Sequence, residues 1–160
     1  MVVSQETKNT IETECPWRFA RGISKGAEMI KTKASCRALR EECGMTQQDM
    51  ADEFGVRILA VKRWENPSVP GHEPPDDVWD WLVETRSSMV SESVERARHL
   101  IALAEGEGDE GPVRLPYYRV QEEMDATGQD DRPMGVVNAI TRMTARLIED
   151  AGRDVAIEYR

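Results

Sequence analysis

The sequence predicts a mainly α fold, in which an N-terminal helix-turn-helix bundle is followed by a long helix and a small α+β C-terminal unit. Three observations predict it. Between residues 33 and 65, apolar residues recur at intervals of three and four in short runs that glycines separate. A much longer run with the same spacing follows Pro75, and apolar residues alternate in two short segments near the end of the chain.

These patterns divide the 160 residues into five segments. We expect a flexible N-terminal segment at 1–30, a helix-turn-helix unit at 31–73 and a long helix at 74–104. An acidic, glycine-rich linker is expected at 105–112, and a small α+β unit at 113–160. A chain of this length can bury a hydrophobic core that is stable without metal ions or disulfide bonds.

The first helix begins near Lys33 and carries an apolar stripe of Cys36, Leu39 and Cys43, and Gly44 ends it. With Cys15, the chain has three cysteines, an odd number without a CxxC spacing or a nearby histidine pair. Neither a disulfide framework nor a zinc site is indicated. We interpret the two helical cysteines as small core residues.

The second and third helices are separated by a sharp turn. Thr46 supplies an N-cap oxygen for a helix over residues 47–54, and Gly55 ends that helix by allowing a left-handed backbone conformation. The third helix is expected over residues 58–65, because Pro67 and the proline-rich stretch after it forbid further helix.

The long helix opens with Pro-Pro-Asp-Asp at residues 74–77, which places prolines at its start and carboxylates near its positive end. Its apolar spacing continues to about Ala104, and at 1.5 Å per residue the helix would be about 40 Å long. This length exceeds what a domain of this size needs for its own core. The cluster of Ser87, Ser88 and Ser91 is where a bend would fall.

The C-terminal unit combines two short strands with helices. Alternation over residues 113–118 predicts a strand, and Pro116 restricts it to the edge of a sheet. A short helix near 120–126 and an amphipathic helix over 134–151 follow. Residues 155–159 alternate again, so we expect a two-stranded ladder with the first strand.

Charge is distributed unevenly along the chain. The net charge of −9 argues at first against a nucleic-acid partner, because phosphate binding depends on Lys and Arg. However, residues 31–68 carry seven Lys and Arg against six Asp and Glu, whereas residues 69–160 carry ten against twenty. The acidic residues are therefore concentrated away from the helix-turn-helix unit, which is compatible with DNA binding by that unit.

Other classes of function find little support in the sequence. His72 lies in a proline-rich loop and His99 on a helix, and neither has a nucleophile or ligand motif nearby. No phosphate-binding loop, dinucleotide motif or metal-ligand cluster occurs, so we expect no catalytic residue, cofactor or metal and no enzymatic activity. No apolar stretch approaches membrane-spanning length and no signal peptide is evident, so we expect a cytoplasmic protein.

Residues that match a known family are spread over all three short helices and their turns. They are Leu39-Arg40, Thr46-Gln47, Met50-Ala51, Phe54-Gly55-Val56 and Arg63-Trp64-Glu65-Asn66. Residues 34–67 thereby resemble the Cro and phage-repressor type, or XRE-like, helix-turn-helix regulators. The chain departs from this family at Pro67, which replaces a glycine, and at Arg57, which replaces a Ser or Thr helix cap.

The resemblance implies a set of DNA contacts. Gln47, at the start of helix two, would approach a phosphate or an adjoining base, and helix three would present its outward face to the major groove. The implied DNA-binding residues are Gln47, Arg57, Ile58, Leu59, Lys62 and Arg63. Arg40 and Glu65 match a family pair that forms an internal salt bridge between helix one and the end of helix three.

The aliphatic start of helix three leaves two interpretations open. Ile58 and Leu59 can contact thymine methyl groups, while Lys62 and Arg63 donate to guanine or to phosphate one turn later. Alternatively, the two aliphatic residues pack on another part of the chain or on a protein partner.

The order of elements after helix three also resembles the YdiL-like, anti-CRISPR-associated autorepressors, notably at residues 75–78 and 115–118. That resemblance implies a homodimer held by residues 113–160 and an inverted repeat read by two N-terminal units. We therefore expect a dimeric transcriptional repressor that binds double-stranded DNA. The long helix and the C-terminal helix are both candidates for the dimer interface. The alternative is a protein-binding module, such as an antitoxin or adaptor, whose acidic C-terminal unit binds a partner protein.

Overall fold

The computed structural model describes residues 29–160, which form six helices and a two-stranded parallel sheet. The helices are α1 (Lys33–Glu42), α2 (Gln47–Glu53), α3 (Ile58–Glu65), α4 (Asp76–Glu107), α5 (Gln121–Asp125) and α6 (Met134–Asp150). The strands are β1 (Val113–Tyr117) and β2 (Val155–Tyr159). The predicted mainly α fold is confirmed. The N-terminal segment that we expected to be flexible lies, apart from Met29 and Ile30, outside the described residues.

The caps that the sequence predicts at Thr46 and Gly55 define α2. Thr46 and Asp49 form a reciprocal capping box at the start of α2, where the Thr46 hydroxyl accepts from the Asp49 N–H and the Asp49 carboxylate accepts from the Thr46 N–H at 2.7 Å. Gly55 adopts a left-handed φ of +60° after α2. The short connection that follows turns the chain directly into α3.

Helix α4 is longer than the sequence predicts and is continuous through its serine cluster. Its 32 residues extend about 48 Å at 1.5 Å per residue. It runs three residues into the segment expected to be a linker and ends at Gly108, which has a φ of +65°. A glycine inside a helix costs only about 1 kcal/mol, so Gly106 does not stop a helix whose packing continues through Leu100 and Ile101.

Helix α6 runs parallel to α4 and joins the two main cores. Val78 and Leu82 of α4 share the first core with Ile140 of α6, and the same core contains the buried residues of α1, α2 and α3. Farther along both helices, Ala97 packs with Ile148 in a second core that includes β1. The helix-turn-helix bundle therefore rests on the first halves of α4 and α6.

The predicted ladder is present, and its strands are parallel. β1 and β2 pair in register from Val113 opposite Val155 to Tyr117 opposite Tyr159. Parallel strands cannot be joined by a tight hairpin, and here α6 provides the crossover between them. The alternating residues of β1 face α6, where Leu115 is buried in the second core.

Candidate nucleic-acid interface

A buried ion pair fixes α3 to α1. Arg40 Nε donates to Glu65 Oε1 at 2.6 Å, and Arg40 Nη2 donates to Glu65 Oε2 at 2.9 Å. The third guanidinium nitrogen, Nη1, donates to the Met45 carbonyl in the turn between α1 and α2 at 2.7 Å. The hydrogen bond to Glu65 raises the pKa of Arg40 above its ordinary value. The pair implied by the family resemblance is thus present and buried.

Apolar residues hold the inner face of α3. Val61 is fully buried and Trp64 is buried beside it in the first core. Ala51 of α2 is also fully buried, as expected of a small residue where two helices cross closely. Phe54, at the end of α2, packs edge-on against Trp81 of α4 with 5.3 Å between ring centroids. These contacts leave the opposite side of α3 exposed.

Lys33 organises the segment after α3, and sequence reasoning did not single it out. Its Nζ donates to the carbonyls of Arg63 at 2.9 Å, Val69 at 2.8 Å and His72 at 2.8 Å. The Glu73 carboxylate lies 3.7 Å from the same ammonium. One lysine on α1 therefore holds the last turn of α3 and the proline-rich loop. No local pattern signals this role, because the acceptors lie 30 to 39 residues away in sequence.

The outward face of α3 is cationic with one aliphatic side chain. Arg57, Lys62 and Arg63 are exposed, and Leu59 retains 52% of its accessible surface. Ile58 is only partly exposed and packs against the first core, so Leu59 is the aliphatic residue that projects. Arg57 precedes the helix without a side-chain capping hydrogen bond.

Gln47 lies between the anchor and the outward face. Its side chain is partly buried, and Nε2 donates to Glu65 Oε2 at 2.8 Å. The start of α2 is therefore tied to the end of α3 through the same carboxylate that binds Arg40. The structure thus brings Gln47 to the end of α3, with its amide nitrogen hydrogen-bonded within the protein.

The cations of α3 have no acidic partner within residues 29–160: neither Arg57, Lys62 nor Arg63 forms an ion pair there. Elsewhere, exposed arginines commonly pair locally, as Arg37 does with Glu41 at 2.7 Å. The charge on α3 is therefore available to an anionic partner.

The two cysteines of α1 and its C-cap are core residues, as predicted. Cys36 and Cys43 are fully buried in the first core. Burial raises the pKa of Cys36 to about 12 and that of Cys43 to about 11. Both thiols are consequently neutral at physiological pH.

Other chemistry is sparse in the described part of the chain. His72 is exposed, with Nδ1 3.2 Å from the Pro70 carbonyl oxygen, and His99 is exposed on α4. Residues 29–160 contain no group of three or more His, Cys, Asp or Glu side chains placed to hold a metal ion. None of the described helices combines the length and apolar character needed to cross a bilayer.

Comparisons of the chain with protein-family models, with curated proteins and with solved structures give no match. The candidate interface is therefore defined by the geometry of α1, α2 and α3 alone.

Proposed function

We propose that this protein is a sequence-specific, DNA-binding transcriptional regulator of the cytoplasm, a dimeric autorepressor that reads an inverted repeat through α3. The observation that carries the proposal is the contrast between the two sides of α3. One side is anchored by Val61, Trp64 and the Glu65 carboxylate, and the other presents cations that lack an ion-pair partner within residues 29–160. A rigid helix with an unpaired cationic face suits a groove lined by phosphates.

The side chains of α3 supply contacts of three kinds. Lys62 and Arg63 lie one turn into the helix and donate to guanine O6 and N7 or to phosphate oxygens. Leu59 packs on a thymine methyl group, which is the apolar feature of the major groove. Arg57 precedes the helix and contacts the phosphate backbone, which sets orientation without reading sequence.

Anchoring keeps these contacts in register. The Arg40 and Glu65 pair links α3 to α1, and Lys33 holds the carbonyl of Arg63 at the last turn of α3. The resemblance of residues 34–67 to XRE-like regulators supports the same orientation of α3. Direct base readout demands such rigidity, since hydrogen bonds to base edges weaken steeply when donor and acceptor are misaligned.

One copy offers too few contacts for typical specific affinity, so we propose a homodimer. Two α3 helices reading half-sites about one helical turn apart would match a palindromic operator. The acidic residues of 69–160 would be repelled by phosphate, which favours an orientation with α3 facing the DNA.

The test is fluorescence anisotropy of the purified protein on the duplex upstream of its own gene, beside a scrambled duplex, over a salt series. We expect tighter binding to the native duplex, with a salt dependence that corresponds to several released counterions. Equal and weak binding to both duplexes would contradict autorepression. Equal weak binding together with co-purification of a basic protein would instead indicate the protein-binding module.

A further inference from the structure

The two edges of the sheet differ in how their backbone groups are satisfied. On the outer edge of β1, the Tyr118 N–H donates to Asn138 Oδ1 at 3.0 Å, and Asn138 Nδ2 donates to the Tyr118 carbonyl at 2.8 Å. Pro116 has no N–H, and its carbonyl accepts from the Thr141 hydroxyl at 3.2 Å. Side chains of α6 therefore close this edge at Pro116 and Tyr118.

The outer edge of β2 is open. The Val113 N–H donates to the Asp154 carbonyl at 2.9 Å, and the Arg160 N–H donates to the Tyr117 carbonyl at 3.1 Å. With the parallel register, these bonds show that the backbone N–H and C=O groups of the even-numbered residues of β2 point toward β1. The N–H and C=O groups of Val155, Ile157 and Tyr159 point the other way. Within residues 29–160, no hydrogen-bond partner meets them there.

The odd-numbered side chains of β2, whose backbone groups line this open edge, are apolar. Ile157 is 47% exposed and Tyr159 is 71% exposed, on the face of the sheet that also carries Tyr117. Exposed strand edges with apolar side chains pair readily with another strand, and proteins usually protect them with charge, proline or a covering element. The one acidic residue of β2, Glu158, lies on the opposite face of the sheet and pairs with Arg114. Within residues 29–160, no proline or covering element protects β2 at Ile157, in contrast to β1.

We infer that a second copy of this chain pairs with this edge, its β2 antiparallel to the first, to give a continuous sheet in the order β1, β2, partner β2, partner β1. Ile157 lies on the two-fold axis opposite the partner's Ile157. Val155 lies opposite the partner's Tyr159, and each of these three positions exchanges backbone hydrogen bonds with its counterpart. This pairing satisfies every outward N–H and C=O of β2 and covers the exposed Ile157.

Charge complementarity identifies the occupant as a second copy. In this register Asp154 lies opposite the partner's Arg160, and symmetry repeats the pair at the other end of the ladder. Both residues are exposed, and neither forms an ion pair within residues 29–160. Opposite charges across a strand pair stabilise it, and a shift of register would separate them. The inference specifies the dimer that the proposed function requires, but its test needs no DNA.

The first test is the mass of the full chain in solution by sedimentation equilibrium, for wild type and for Ile157→Pro. Proline at 157 removes an outward N–H and leaves the hydrogen bonds to β1 in place. We expect a dimer for wild type and half that mass for Ile157→Pro, with the helical circular dichroism unchanged. Ile157→Thr keeps the N–H and a β-branched side chain, so it is the matched control and should stay dimeric. A monomeric wild type or a dimeric Ile157→Pro would overturn the inference.

The second test is disulfide formation across the two-fold axis in a Cys15→Ser background, where the other cysteines are buried. Opposed Cα atoms of a hydrogen-bonded antiparallel pair lie about 5.5 Å apart, which a disulfide spans. Ile157→Cys should therefore cross-link on oxidation. The matched control Glu158→Cys should not, because it is offset from its counterpart along the ladder. If Val90→Cys cross-linked and Ile157→Cys did not, the dimer interface would lie on the face formed by α4 and α6, which would overturn the inference.

A charge exchange tests the register. Asp154→Arg places like charges together at both ends of the ladder and should raise the dimer dissociation constant about tenfold. Adding Arg160→Asp should restore it, and failure of the double variant to recover would contradict the register. These measurements omit DNA, so they separate the two proposals. If the protein forms this dimer but does not bind DNA specifically, only the proposed function is refuted. If it binds DNA specifically but does not form this dimer, only the inference is refuted.

Discussion

Gly44 and Gly135 meet backbone to backbone. A Cβ atom added to Gly135 would lie 1.9 Å from the Gly44 carbonyl oxygen, and one added to Gly44 would lie 2.0 Å from the Gly135 carbonyl oxygen. Gly44 also has a φ of +73°, which favours glycine. Through this contact, the first turn of α6 packs against the turn between α1 and α2. The C-terminal helix is thereby part of the support of the helix-turn-helix bundle.

Gly135→Ala should lower the free energy of unfolding by about 1–3 kcal/mol, because the added methyl group meets backbone that cannot move aside. Urea denaturation followed by circular dichroism measures the change. The matched control is Gly106→Ala in α4, where a Cβ meets nothing within 4 Å. Alanine there should stabilise the helix by about 0.4–1 kcal/mol. Similar effects of the two substitutions would contradict the close approach.

Glu65→Ala should lower stability by about 3–5 kcal/mol, since it leaves the buried Arg40 guanidinium without its counterion. The melting temperature of the variant against wild type measures this loss. Glu95→Ala removes an exposed partner of Arg98 and should change stability little, which makes it the matched control. An unchanged melting temperature for Glu65→Ala would mean that the pair does not hold α3.

Lys33→Met should loosen the segment after α3, because three carbonyl oxygens lose their shared donor. We expect a loss of about 1–3 kcal/mol and faster amide exchange across residues 66–73. Lys62→Met is the control, because Lys62 is exposed and forms no ion pair within residues 29–160. Equal protection of the loop in both variants would argue against the role of Lys33.

Lys62→Ala and Arg63→Ala should each weaken operator binding, and the double variant should lose site-specific binding while melting like wild type. Loss of a base contact costs about 1–3 kcal/mol, and loss of a phosphate contact lowers the salt slope by about one. Anisotropy titrations measure both quantities. Arg98→Ala makes the same change of charge on α4 and should bind as wild type does. Wild-type affinity in the double variant would exclude α3 as the DNA-reading helix.

Stability should fall at high pH because of the buried thiols. The ordinary pKa of a cysteine is 9.0, and burial raises the pKa of Cys36 to about 12 and that of Cys43 to about 11. Above pH 9 the unfolded chain therefore releases these protons while the folded chain keeps them, so unfolding becomes more favourable. Between pH 8 and pH about 10.5, wild type should lose more unfolding free energy than Cys36→Ala/Cys43→Ala. An equal loss would show that other groups account for the pH dependence.

The sequence predicted the local elements of the bundle well. Thr46 and Gly55 act through the backbone next to them, so their effects on α2 can be inferred from neighbouring residues. The burial of the α1 stripe follows from helical spacing in the same way. The pairing of Arg40 with Glu65 came from the family resemblance, and no local pattern predicts it.

Long-range contacts lay beyond such reasoning. Lys33 binds carbonyls at the end of α3 and in the loop that follows, and Gly135 contacts a turn some 90 residues earlier, because folding brings these segments together. The end of α4 was misplaced for a related reason. A glycine-rich stretch predicts a linker, but packing of Leu100 and Ile101 on the second core outweighs the small cost of a helical glycine.

By itself, the sequence determined the caps, the helical faces and the existence of two alternating strands, since these depend on residues within a few positions of one another. Tertiary structure decided that the strands are parallel, that α6 supports the bundle, and that β1 is closed by Asn138 while β2 is open. Hydrogen bonds between strands and contacts between helices join residues far apart in the chain. Their partners are chosen by how the elements pack, which no local pattern encodes.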